Sequence, residues 1–115
     1  MHPYKRSERL GELILAEISE LITRDIKDPR IGFVTFTRVE LSDDLRYAKV
    51  FVSSLESEQE KARTLQGLSS ATGYIRRHIG RALHLRYTPE ITFLSDTSLE
   101  HGAKIAQLLR QLHAR

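Results

Sequence analysis

The chain contains no cysteine. That excludes disulfides, Cys-ligated zinc, iron–sulfur clusters and thiol catalysis. Long apolar runs are also missing, and none approaches the ~20 residues needed to cross a bilayer, so no membrane association is expected. The opening Met1-His2-Pro3-Tyr4-Lys5-Arg6 leads into an amphipathic pattern and lacks the apolar core of a signal peptide, which predicts a cytoplasmic protein. Glycines fall at 11, 32, 67, 73, 80 and 102, and fit neither G-x-G-x-x-G nor a P-loop. The five histidines, at 2, 78, 84, 101 and 113, show no zinc-helix spacing. Asp43 and Asp44 read as solvated turn acids, and no serine sits in a nucleophile elbow. The expectation is a protein without a catalytic centre, metal or cofactor.

The deficit that says most about function is local. Between Lys61 and Thr88 there is no Asp or Glu, while Lys61, Arg63, Arg76, Arg77, Arg81 and Arg86 all lie there. The remainder of the chain holds twelve basic and fifteen acidic residues. Such a split predicts one face built for a polyanion. The alternative is a solvated helix face whose acids lie nearby in space.

What is present fits one folded unit. A length of 115 residues, 40% of them hydrophobic and 29% charged, predicts a single globular domain spanning 1–115. Leu10, Leu13, Ile14, Ile18, Leu21 and Ile22 recur at three- and four-residue steps, which predicts a helix over 7–24. Pro29 disfavours helical geometry before it and closes that segment. Residues 33–41 are rich in Val, Thr and Phe. Residues 45–53 alternate, with Ala48, Val50 and Val52 on one face. Ser42-Asp43-Asp44 supplies turn chemistry, so these two strands should form an antiparallel hairpin.

A helical block follows over 57–84. Ser57-Glu58-Gln59-Glu60 matches a capping box, with Ala62, Leu65 and Leu68 on the buried side. The small residues around Ala71-Thr72-Gly73 predict a kink, after which Ile75, Ile79, Ala82 and Leu83 form a new stripe. A third strand is expected over 90–94. A second capping box at 97–100 starts a last helix carrying Leu99, Ala103, Ala106, Leu109 and Leu112. The order is α-β-β-α-(kink)-α-β-α, an α+β domain with helices covering a three-stranded sheet.

Two basic groups are the candidate binding residues. Arg77 and Arg81 are i, i+4 neighbours and project together from the third helix. Arg76 borders them, and His84 and Arg86 lie near the far end. Guanidinium forks match phosphate oxygens in a bidentate way. Lys5, Arg6 and Arg9 form the second group. Positive charge at a helix start opposes the macrodipole, which favours an external anion over a structural role. Tyr74 could stack on a base or fill core.

The α-β-β-α-α-β order is that of a type II KH-like domain. A regular KH domain places G-x-x-G between its two helices, whereas this chain has Ala71-Thr72-Gly73 there. That A-x-G junction resembles the ribosome-binding factor A family, bacterial factors of small-subunit maturation. Further segments are similar to it in order: Asp28-Pro29-Arg30-Ile31-Gly32, Val39-Glu40-Leu41-Ser42, Asp44-Leu45, Tyr47-Ala48-Lys49-Val50 and Gly73-Tyr74-Ile75-Arg76. So are Leu85-Arg86, Pro89-Glu90-Ile91-Thr92-Phe93 and Asp96-Thr97-Ser98-Leu99. The resemblance implies a monomeric, non-enzymatic factor that binds the immature 30S subunit and 16S rRNA. It also implies help in late rRNA maturation and processing, growth in the cold, and release coupled to a ribosome-associated GTPase. The competing reading is a protein-interaction domain that docks a partner through its sheet or C-terminal helix. Steep weakening of binding with salt would separate the two, because phosphate contacts release counterions.

Overall fold

A computed structural model of the chain describes residues 6–31, 34–53, 57–97 and 108–112. The elements are α1 (Arg6–Arg24), β1 (Thr35–Leu41), β2 (Tyr47–Ser53), α2 (Glu58–Ser70), α3 (Thr72–Ala82) and β3 (Glu90–Ser95). The sheet order is β1-β2-β3. β1 and β2 form the antiparallel hairpin, and β3 runs parallel to β2 after the α2–α3 crossover. This is the type II KH-like α+β arrangement. No helix among the described residues is long and apolar enough to cross a membrane.

The periodicities explain the packing. Ala48, Val50 and Val52 on β2 are buried, as are Phe36 on β1 and Ile91 on β3. A bulge between Phe36 and Arg38 lets Phe36 pair with Val52 while Val39 pairs with Val50, so both point inward. The helices lie over this face. Ile14, Ile18 and Leu21 of α1, Leu68 of α2, and Ile75 and Ile79 of α3 are fully buried. Each contributes about 1.5–3 kcal/mol relative to exposure. The capping box at Ser57 is formed, with its hydroxyl accepting from the Glu60 N–H and the Glu60 carboxylate accepting from the Ser57 N–H.

Several positions differ from the sequence expectation. Ala62 is exposed, and Thr64 and Gly67 take the buried side of α2. The Thr64 and Gly67 edge of that side meets the 28–31 segment, while Leu68 faces the apolar core. Loop carbonyls need donors and close approach: the Thr64 hydroxyl donates to the Arg30 carbonyl at 3.2 Å, and a Cβ on Gly67 would lie 2.9 Å from Ile31. Leu13 is 47% exposed and Ala82 is also exposed. β2 begins at Tyr47, two residues later than expected, because Leu45 takes a φ of 62° in the turn. Phe33, the 97–100 capping box and Leu99, Ala103 and Ala106 lie wholly or mostly outside the described residues. Residues 108–112 are helical and expose Leu108, Leu109 and Leu112.

The break between α2 and α3 is a single residue, Ala71, at φ −88° and ψ 0°. Its N–H still reaches the carbonyls of Gly67 and Leu68. Thr72 and Gly73 already belong to α3. Gly73 has no positive φ, and a Cβ there would meet nothing within 4 Å. Gly73 therefore carries no backbone strain; the expected kink falls at Ala71, with Leu68 and Ile75 buried on either side of it.

Candidate nucleic-acid interface

Three segments far apart in the chain meet at one edge of the molecule. The first turn of α1 supplies Arg6 and Arg9, with Leu10 and Leu13 on its next turn. The β1–β2 turn supplies Arg46 and Tyr47. There the Asp44 carboxylate accepts from the Ser42 hydroxyl at 2.6 Å and from the Arg46 N–H at 3.1 Å. The Ser42 hydrogen bond first, and the Arg46 N–H second, hold the Asp44 carboxyl below its ordinary range.

The segment after α3 supplies Arg86 and Tyr87. α3 ends in a Schellman motif: the Leu85 N–H reaches the Gly80 carbonyl at 2.9 Å and the His84 N–H reaches Arg81 at 3.3 Å. His84 occupies the left-handed position, with φ 53°, where glycine is usual. Beyond it, Arg76 reaches across from α3. Its Nε donates to the Pro89 carbonyl and its Nη2 to the Thr88 carbonyl, both at 2.9 Å. Pro89 is buried, so the 85–89 segment is fixed at both ends.

These three segments enclose a groove of about 940 Å³. Arg6, Arg9, Arg46, Arg76 and Arg86 line it, against the two acids Asp44 and Glu90. A second, smaller depression of about 310 Å³ lies along α3 between Tyr74, Arg77, His78 and Arg81. His78 Nε2 lies 3.0 Å from a Glu17 carboxylate oxygen. Among the described residues no ion pair involves Arg6, Arg9, Arg77, Arg81 or Arg86. Arg24, Arg30 and Arg38 are paired with acids.

The sequence-predicted residues thus separate by surroundings. Arg6, Arg9 and Arg86 come together, although far apart in the chain. Arg77 and Arg81 share the α3 face. Arg76, half-buried, also lines the groove, and its guanidinium holds two backbone carbonyls, partners that leave no mark in the sequence. His84 is exposed and ends a helix. Lys5 lies outside the described residues. Ala71, Thr72 and Gly73 sit at the other end of α3 from the groove.

Sequence reasoning passed over Arg46, Tyr47 and Tyr87. A signal for them exists: Leu-Arg-Tyr occurs twice, at 45–47 and 85–87, and all six residues line the groove.

A type II KH-like sheet-and-helix domain with unpaired arginines along a groove defines the class. The relatives agree on something narrower. Residues 6–109 match the family model of ribosome-binding factor A. Ribosome-binding factor A of Halothermothrix orenii is 56% identical over 108 residues, 94% of this chain and 88% of that protein. The Caldanaerobacter subterraneus protein of the same name is 54% identical over 109 residues, 94% of this chain and 89% of its own length. The solution structure of a Thermotoga maritima protein, described as a putative ribosome binding factor A, superposes with a TM-score of 0.75. It is 40% identical over 85% of this chain and 93% of that one. A homology model of the Thermus thermophilus factor, fitted into the cryo-EM map of a 30S complex, gives 0.60. There the identity is 25%, over 83% of this chain and 97% of that one. The chain belongs to the ribosome-binding factor A family.

Proposed function

We propose that the chain binds the immature 30S subunit through 16S rRNA and assists late maturation and processing of that rRNA. The observation that carries this is the set of five arginines, Arg6, Arg9, Arg77, Arg81 and Arg86, none of which has an acidic partner among the described residues. Guanidinium groups left unpaired in this way match phosphate oxygens in geometry and charge. The 30S complex of the Thermus thermophilus relative supports carrying the partner over to this chain. In this reading residues 1–115 form one RNA-binding domain that acts as a cytoplasmic monomer without catalysis. Release by a ribosome-associated GTPase and a role in cold growth belong to the same proposal, and rest on family resemblance.

Sedimentation of lysate through a sucrose gradient tests it. The chain is expected to migrate with free small subunits and to be absent from translating ribosomes. Migration at the top of the gradient under low salt would refute ribosome binding. Salt-insensitive retention by a protein partner would favour docking through exposed leucines such as Leu108 and Leu112.

A further inference from the structure

The two Leu-Arg-Tyr tripeptides line one groove and present their rings to solvent. Tyr87 is 81% exposed and Tyr47 is 56% exposed. Neither stacks on another ring or on a guanidinium among the described residues. Tyr47 starts β2, opposite Glu90 in the parallel register. Tyr87 sits between the Schellman turn of α3 and the carbonyls that Arg76 holds. Both rings are therefore carried on fixed backbone, with Arg9 and Arg86 beside them.

A duplex offers a protein its phosphates and sugars, while its base faces are buried in the stack. Exposed rings beside arginines suit a strand whose bases are splayed, because every base has a face to stack. We propose that this groove takes an unpaired stretch of RNA, with bases on Tyr87 and Tyr47 and phosphates on Arg9 and Arg86. The strand would lie at the C-terminal end of α3, about 16 Å from the Ala71 break along a helix rising ~1.5 Å per residue. The inference rests on the rRNA-binding reading above and adds the form of the RNA.

The chain has no tryptophan, so Tyr87→Trp introduces a single reporter at the groove. The full chain is titrated with a short oligouridylate, a blunt RNA duplex and heparin. Expected are quenching of the introduced indole's emission by oligouridylate and about tenfold tighter binding of it than of the duplex. Tyr87→Ala and Tyr47→Ala should each weaken oligouridylate binding about tenfold, whereas Tyr87→Phe retains it. Equal affinity for strand and duplex, with both Ala variants unchanged, would overturn the inference. Quenching by heparin, a polyanion without bases, would overturn it as well. If Arg9→Ala and Arg86→Ala weaken all RNA binding while the Tyr variants do not, this inference fails and the rRNA reading stands. If the Arg variants also change nothing, the rRNA reading fails first.

Discussion

Adjacent arginines on α3 meet different surroundings. Arg76 donates to two backbone carbonyls, while Arg77 forms no ion pair among the described residues. Removing Arg76 strands the Thr88 and Pro89 carbonyls, and hydrogen bonds from a charged donor contribute about 1.5–3 kcal/mol. Arg76→Met is expected to lower stability by about 2 kcal/mol in chemical denaturation. Arg76→Lys, which keeps charge but not the fork, should recover less than half of that. Full recovery by Lys would point to a charge role instead. His84 makes the complementary case. A side chain in the left-handed region costs about 1–2 kcal/mol, so His84→Gly should raise the melting temperature. If stability falls instead, the imidazole holds a contact that outweighs the backbone strain. A third residue-scale effect is acid sensitivity. The hydrogen bonds from Arg30, its guanidinium first and its N–H second, hold the Asp28 carboxyl at about 2. A depressed folded-state value stabilises the native chain above the ordinary carboxylate range, near ~4. That contribution is lost as pH falls towards about 2. Stability measured from about pH 4 down to about pH 2 should decline in the parent and decline less in Arg30→Gln. Parallel profiles would show that the pair does not contribute.

At the scale of elements, two helical glycines separate packing from conformation. A Cβ on Gly11 of α1 would sit 2.9 Å from the Val39 carbonyl oxygen of β1. The obstacle is backbone, which cannot swing aside, so Gly11→Ala should cost about 1–3 kcal/mol. Gly73 in α3 has open space around it, so Gly73→Ala should stabilise by about 0.5–1 kcal/mol. Thermal melts of the two variants should move in opposite directions; a loss at Gly73 would restore a strained junction. Much of this architecture is legible in the chain. The 3.6-residue period of Ile14, Ile18 and Leu21 and the two-residue period of Ala48, Val50 and Val52 place α1 and β2, and Ser57 with Glu60 marks the start of α2. What escapes the periodicity has physical reasons. Thr64 and Gly67 are buried because α2 packs on a loop whose carbonyls need a donor and close approach. Leu45 leaves the strand because its backbone turns left-handed. The junction falls at Ala71, and local glycine content gives no guide to it.

At the scale of the whole molecule, folding sorts charge. Acids pair with Arg24, Arg30 and Arg38, while Arg6, Arg9 and Arg86 converge on the groove and Arg77 and Arg81 on α3. The acid-free stretch from Lys61 to Thr88 makes the second cluster visible in the sequence. The groove is much less visible, because its arginines come from three separate segments. Arg46 stands alone among turn residues, and only the repeated Leu-Arg-Tyr links it to Arg86. The central claim is that these unpaired arginines hold RNA phosphates. It is tested most directly by the salt dependence of binding to purified small subunits, for the parent and for the double variant Arg9→Ala/Arg86→Ala. Log affinity should fall linearly with log salt, and the variant's line should be shallower by roughly 0.7–0.9 for each lost contact. Coincident lines of equal slope for parent and variant would contradict the account.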